Sequence, residues 1–146
     1  MHRLMRRLLV VMAMLLTLLL LSPWLAYEAL LLHVDSRPAR PVQVASAAQQ
    51  AEVWRRARGS GPLQVTPMNP YGFLRRFVSH APKSDPGEML AYWVSSEHIA
   101  AHGHTRMLDW HLSNLALTIW LTRHWSAEEM ATFMVPVVAK WPPPRA

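Results

Sequence analysis

Apolar and polar positions divide the chain into one long apolar segment near its start and several shorter amphipathic segments after it. Residues 8–21 are apolar with a single threonine, and apolar character resumes over 24–34 after Pro23. The uninterrupted part is shorter than the ~20 residues of a full bilayer span, but counting through Pro23 to about Ala29 gives enough length. The pattern predicts a transmembrane helix, which Pro23 is expected to kink or end.

Charged residues around this segment predict its orientation. Three arginines precede it, and basic residues favour the cytoplasmic side of a span (Arg3, Arg6 and Arg7). Arg37 and Arg40 follow the segment and reduce this asymmetry. A cleavable signal peptide is the alternative, but the nearest small-residue motif, at 45–47, lies far downstream. We expect residues 1–34 to form a basic head and an uncleaved anchor in a bacterial inner membrane, with the amino terminus in the cytoplasm and the domain in the periplasm.

The chain beyond the anchor is predicted to form a spacer and one small domain. Residues 35–44 are rich in proline and predict a stalk that holds the domain away from the membrane. Good helix formers predict a helix over 45–58, which glycine and proline end at 59–62. The following residues are rich in turns, and 71–78 fits either a short helix or an extended segment. The domain is expected to cover 45–146.

The last third of the chain is predicted to hold three helices. Asp85, followed directly by proline, is a good helix cap and starts a helix that should end near Ala101. A helix pair is then predicted over 105–133. Its first helix has apolar residues at three- and four-residue spacing, and its second starts at a capping box formed by Ser126 and Glu129.

Prolines are expected to end regular structure after that pair. Pro136 follows it closely, and three more prolines occupy 142–144. Taken together, these segments predict an all-α protein with one N-terminal transmembrane helix followed by a small helical extracytoplasmic domain.

The charge balance narrows the classes of partner. Fifteen Lys and Arg against nine Asp and Glu give a net charge of +6, and the basic residues are dispersed. Without a Lys/Arg tract interleaved with aromatic residues, nucleic acid is not an expected partner. Membrane lipid, or an anionic lipid-linked substrate, fits the charge better. The chain has no cysteine, which excludes disulfides and thiolate metal sites, and no cofactor is expected.

Three histidines lie close together in the sequence. His98 and His102 would be one helical turn apart on one face, a spacing that can hold a metal, and His104 could add a third ligand. The zinc-protease signature requires His-Glu-x-x-His, whereas the order here is Glu97-His98 with the next histidine four residues on. Histidines at a helix end, favoured by the helix dipole, explain the cluster without metal. We therefore expect no metal site. A metal ion held by His98, His102 and His104 is the alternative.

Carboxylates that could act in acid–base catalysis are scarce. Several are explained by helix caps and first turns, which leaves Glu97 and Asp109. Glu97 lies in an otherwise apolar helix and is the candidate catalytic residue. A solvated helix carboxylate is the alternative interpretation.

Residues 115–130 (LALTIWLTRHWSAEEM) resemble part of the peptidoglycan glycosyltransferases of glycosyltransferase family 51, the lipid II polymerases. In that family a helix leads into a capped second helix that reads L-S-K-x-E-I-L. Five residues of this chain fit that frame, with Trp125 at the position of the first leucine (Leu117, Arg123, Ser126, Glu129 and Met130). A single anchor followed by a basic helical domain is also similar.

The chain departs from the family at the positions that perform catalysis. In this register Asn114 occupies the place of the second functional glutamate. The motif E-D-x-x-F-x-x-H-x-G is absent, and only Glu97, His102 and Gly103 resemble part of it. A side-chain amide cannot exchange a proton at neutral pH, so Asn114 cannot act as acid or base.

The resemblance implies a cell-envelope membrane protein that is non-catalytic or weakly catalytic. It would bind a lipid-linked glycan or a partner in peptidoglycan synthesis, with Arg123 and Arg106 facing the pyrophosphate or lipid. Any surviving transglycosylase activity on a lipid-linked peptidoglycan precursor would depend on Glu97. The alternative is a single-pass membrane adaptor or assembly subunit of a larger membrane complex.

Overall fold

The computed structural model describes residues 2–34, 36–72, 85–102 and 106–142. These residues form five helices and no strand, which confirms the all-α prediction. The helices are α1 (His2–Leu32), α2 (Ala47–Arg56), α3 (Pro86–Ala101), α4 (Met107–His124) and α5 (Ala127–Val138). A further helical turn starts at Pro70. The rest of the predicted 71–78 segment lies outside the described residues.

Helix α1 is continuous and mostly apolar. Its segment Met5–Leu32 contains an 18-residue stretch with a mean hydropathy of 2.5 and is long and apolar enough to cross a membrane. The expectation that Pro23 could end the helix is wrong. Proline supplies no N–H for the carbonyl of Leu19, but the Ser22 hydroxyl donates a hydrogen bond of 2.8 Å to that carbonyl. A local side chain thus replaces part of the missing backbone bond.

The two ends of α1 have different surroundings. Every side chain over 5–22 is exposed, whereas Tyr27 and Leu31 are buried. These two residues pack against Ala116 and Ile119 of α4 in a small apolar cluster. The last turns of α1 therefore belong to the core of the domain as well as to the apolar helix.

The main core lies between α2, α3, α5 and the end of α4. Its members are apolar and almost fully buried (Val53, Trp54, Leu90, Val94, Leu121, Met130 and Met134 among them). Helices α3 and α4 share the most extensive contact. Burial of these side chains supplies the main driving force for folding of the domain.

The predicted helix starts are confirmed. Asp85 accepts a hydrogen bond from the N–H of Gly87 at 2.8 Å, with Pro86 at the first helical position. Ser126 and Glu129 form the reciprocal capping box that starts α5. Both devices satisfy N–H groups that the first turn of a helix leaves without a partner.

Helix α5 continues through Pro136 to Val138, so the expectation that this proline ends regular structure is wrong. Pro136 is exposed, whereas Met134 and Val138 are buried in the main core. Packing of the apolar face therefore outweighs the hydrogen bond that proline removes on the solvent side.

The proline-rich segment after α1 lies along the domain instead of standing clear as a spacer. Pro38 is buried, and Arg40 forms an ion pair of 3.4 Å with Glu129 at the start of α5. Arg40 also donates a hydrogen bond to the carbonyl of His124. These contacts hold the segment against the end of α4.

Candidate functional site

The two arginines that the sequence analysis paired lie far apart. Arg106 immediately precedes α4, and Arg123 lies in the last turn of the same helix. Seventeen residues separate them, which corresponds to about 25 Å at ~1.5 Å per helical residue. The structure therefore does not bring Arg106 and Arg123 together in one binding site.

Glu97, the candidate catalytic carboxylate, faces solvent on α3. Within the described residues it takes part in no hydrogen bond or ion pair. It also lies outside the one groove described below. Its surroundings are those of a solvated helix carboxylate.

Asn114 is part of a buried polar seam between α3 and α4. It is 2% exposed, and its amide nitrogen donates to the Ser96 hydroxyl at 2.7 Å. The Thr118 hydroxyl lies 3.2 Å from the amide oxygen and 2.7 Å from the backbone carbonyl of Asn114, and the Ser95 hydroxyl donates to the same carbonyl at 3.1 Å. Asn114 is therefore removed from solvent and hydrogen-bonded within the domain.

His98 and His102 lie one turn apart, as predicted, with their ring centroids 4.3 Å apart. Each Nε2 atom lies 3.1 Å from the hydroxyl of Ser36, which follows α1. His104 lies outside the described residues. Within the described part of the chain no group of three His, Cys, Asp or Glu could hold a metal ion. The two histidines thus connect α3 to the segment after α1.

Arginine and tryptophan side chains pair at the junction between α1 and α4. The guanidinium of Arg123 lies over the ring of Trp24, 5.1 Å from its centroid. That of Arg37 lies over Trp120, at 5.2 Å. Trp120 in turn stacks on His124, with centroids 4.7 Å apart. We call these five side chains the Arg–Trp cluster.

The two arginines of this cluster have no carboxylate partner among the described residues, since the ion pairs there belong to Arg40, Arg55 and Arg56. Both arginines and the carboxylate of Glu28 lie within electrostatic range of Tyr27, but no ion pair among the described residues joins Glu28 to either arginine. The positive charges of the two arginines therefore remain available to an anion from outside the chain.

Arg123 was predicted as a binding residue from the sequence, whereas Arg37 was not. In the sequence, Arg37 is only a charge that weakens the orientation signal. The contact between Arg37 and Trp120 joins residues 83 positions apart in the sequence, so no local spacing indicates it.

An apolar groove of about 320 Å³ lies between α1 and α4. The end of α1 forms one wall, α4 forms the other, and Pro70 contributes from the connecting chain (Ser22, Pro23, Ala26, Tyr27, Leu30, Leu115, Ala116 and Ile119). Tyr27, Leu30, Leu115 and Ile119 belong to the apolar cluster that also includes Trp24 and Trp120. The groove and the Arg–Trp cluster are therefore neighbours at the same junction.

Comparison with protein-family models, with curated proteins and with solved structures finds no match to this chain. The function must therefore be argued from the geometry of the domain and from the sequence resemblance. Of the arrangements described above, the junction between α1 and α4 is the one that combines a concave apolar surface with unpaired charge.

Proposed function

We propose that this protein is a single-pass membrane protein of the bacterial cell envelope that binds an anionic lipid-linked glycan without transferring it. The observation that supports this most is the Arg–Trp cluster at the end of α1. It offers two cations to a phosphate group at the place where an apolar helix meets a folded domain.

The exposure of α1 supports a location at the bilayer surface. Residues 8–22, which follow the basic head, are all exposed, and counted on to Tyr27 they give about 30 Å of helix, the thickness of a hydrocarbon core. Counting ~20 residues from Arg7 places the far boundary near Tyr27. Trp24 and Tyr27 would then lie at the aromatic belt, and the Arg–Trp cluster would lie at headgroup level. With Arg3, Arg6 and Arg7 in the cytoplasm, the domain is periplasmic.

The carboxylates support binding without catalysis. Glycosyl transfer by acid–base chemistry requires a carboxyl group that can exchange a proton beside the substrate. Asn114 cannot do so, and its amide is already hydrogen-bonded to Ser96. Glu97 is exposed and lies apart from the groove. A peptidoglycan glycosyltransferase-like scaffold that retains ligand but not turnover fits both facts.

The test measures binding and polymerisation on the full chain in nanodiscs of neutral lipid. A fluorescent lipid-linked peptidoglycan precursor should bind the unmodified protein, and Arg123→Gln and Arg37→Gln should each weaken binding about fivefold. Arg55→Gln is the matched control because that exposed arginine pairs with Glu52 on α2. Arg106→Gln should also have no effect, since it lies at the other end of α4.

Two results would contradict the proposal. Equal affinity for all four variants would mean that the arginines of the cluster do not hold the ligand. Formation of glycan polymer that Glu97→Gln abolishes would mean that the protein is an enzyme.

A second function, that of an adaptor for a larger membrane complex, is favoured by one specific observation. Met107 and Leu108 at the start of α4 are 78% and 68% exposed, although both are large and apolar. Such residues are typical of a protein interface. If this function is the correct one, Met107→Ser with Leu108→Ser should release a co-purifying membrane partner, while Arg123→Gln should retain it.

A further inference from the structure

The groove between α1 and α4 has an apolar lining and no ligand assigned to it by the proposed function. Its walls come from the last turns of α1 and the middle of α4. Ala26 lies on the α1 wall and is exposed, so the groove opens to the surroundings of α1. Exposure of an apolar groove to water is unfavourable in free energy. A groove that faces a bilayer can instead be filled by hydrocarbon, which removes that unfavourable exposure.

The position of the groove along α1 identifies what surrounds it. The lining residues Ser22 to Tyr27 begin where the fully exposed part of α1 ends. With α1 across a bilayer, this is the boundary between hydrocarbon and headgroups of the outer leaflet. The molecules present there in excess are the membrane phospholipids themselves.

Charge beside the groove selects among those phospholipids. Arg123 and Arg37 lie over Trp24 and Trp120, whose rings pack against the apolar cluster of the groove. Neither arginine has a carboxylate partner among residues 36–72, 85–102 and 106–142 or on α1. A phosphate held by these guanidinium groups would place its acyl chain next to the apolar wall.

We infer that the groove is a binding site for one acyl chain of an anionic bilayer phospholipid, whose phosphate contacts Arg37 and Arg123. The inference rests on the membrane location in the proposed function, but it does not require the glycan. It adds a phospholipid that joins the end of α1 to α4 and that a lipid-linked glycan would displace from the same two arginines. That lipid fills space which the protein's own side chains leave open.

The experiment uses the full chain in liposomes that contain phosphatidylglycerol with a photoactivatable acyl chain. Cross-links should map to α1 over 22–30 and to α4 over 115–119. Ala26→Trp fills the groove from an exposed position and should reduce labelling at these residues about tenfold, the loss expected for ~1.4 kcal/mol of binding energy. Ala29→Trp is the matched control, because Ala29 is also exposed on α1 but does not line the groove.

Charge selection is tested by native mass spectrometry after purification in detergent with mixed lipids. The unmodified chain should retain phosphatidylglycerol in preference to phosphatidylcholine, and Arg37→Gln and Arg123→Gln should each reduce that preference about fivefold. Arg55→Gln should leave it unchanged. Equal labelling of the Ala26→Trp and Ala29→Trp proteins, or equal retention of both lipids, would overturn the inference.

Failure of this inference can be told apart from failure of the proposed function. If the glycan binds through the arginines but no phospholipid is retained, the inference is wrong and the proposed function stands. Retained phospholipid without glycan binding removes the function and supports the inference. If neither the phospholipid nor the glycan binds, both the inference and the proposed function are wrong.

Discussion

Helix α4 presents polar groups on two sides. Those on one side are buried and hydrogen-bonded, whereas those on the other side are exposed and charged. Toward α3, the amide of Asn114 donates to the Ser96 hydroxyl and accepts from the Thr118 hydroxyl, and the Ser95 hydroxyl donates to the backbone carbonyl of Asn114. Toward α1, the guanidinium of Arg123 lies on the ring of Trp24 and donates one hydrogen bond of 3.4 Å to the carbonyl of Met68, but its charge has no carboxylate partner among the described residues. A polar group whose bonds are satisfied internally stabilises the fold, whereas a charge left open is available for a ligand.

This difference assigns separate roles to two residues that the sequence analysis considered together. Asn114 and Arg123 both lie on α4, nine residues apart. The first now belongs to the structural seam and the second to the proposed binding junction. Substitutions on the two sides of α4 should therefore affect different measurements.

The largest effect is expected from Asn114→Asp, which places a carboxyl group in the buried seam. At neutral pH the free energy of unfolding should fall by about 5 kcal/mol, because the ionised group is desolvated and its oxygens cannot donate to Ser96. Burial raises the folded-state pKa of the introduced carboxyl above its unfolded value of ~4. The penalty should therefore be small below pH 4 and grow as the pH rises.

Chemical denaturation at pH 4 and pH 7 measures this prediction. Asp109→Asn, an exposed change on the same helix, is the control and should have little effect at either pH. An Asn114→Asp protein as stable as the unmodified chain at pH 7 would show that the seam is open to water.

A smaller effect on stability is expected from truncation at the junction than from truncation in the main core. Ile119→Ala should cost about 2 kcal/mol, because the groove already lies beside this side chain and its neighbours can move into the space. Leu90→Ala, in the close-packed main core, should cost about 4 kcal/mol. Thermal unfolding of both variants compares the two sites, and equal costs would mean that the junction is packed as tightly as the core.

The smallest effect on stability is expected from Arg123→Gln. The side chain is exposed, and loss of its contact with Trp24 should change the free energy of unfolding by less than ~1 kcal/mol. The same change should weaken binding of the anionic lipid ligand about fivefold. A large loss of stability would place Arg123 with Asn114 as a structural residue, and the contrast between the two sides of α4 would disappear.

Local sequence signals were sufficient for much of the fold. Caps such as Asp85 and Ser126 act on the N–H groups of the next three residues, so a short motif predicts them. Prolines were harder to interpret. The effect of Pro23 depends on the Ser22 hydroxyl, and that of Pro136 depends on which face of α5 is packed.

The candidate site could be predicted only in part, because its contacts join distant segments. Arg123 was selected from a sequence resemblance, but its neighbour Trp24 lies about a hundred positions earlier in the chain. Arg37 and the groove appear only when α1 packs on α4. The position of Asn114 was noted from the sequence, and its burial required knowledge of the α3–α4 contact.

The unbroken course of α1 has one further mechanical consequence. The same rigid helix provides the membrane-length apolar segment and, through Tyr27 and Leu31, part of the domain core. The 31 residues of α1 are about 46 Å long, more than a ~30 Å hydrocarbon core, so in a bilayer the two ends of the helix would lie outside the hydrocarbon and the angle of the helix would depend on the bilayer's thickness. Because Tyr27 and Leu31 pack on Ala116 and Ile119 of α4, a tilt of this end of α1 would turn the domain with it. A thinner or thicker bilayer would thereby set the angle at which the groove faces the membrane surface.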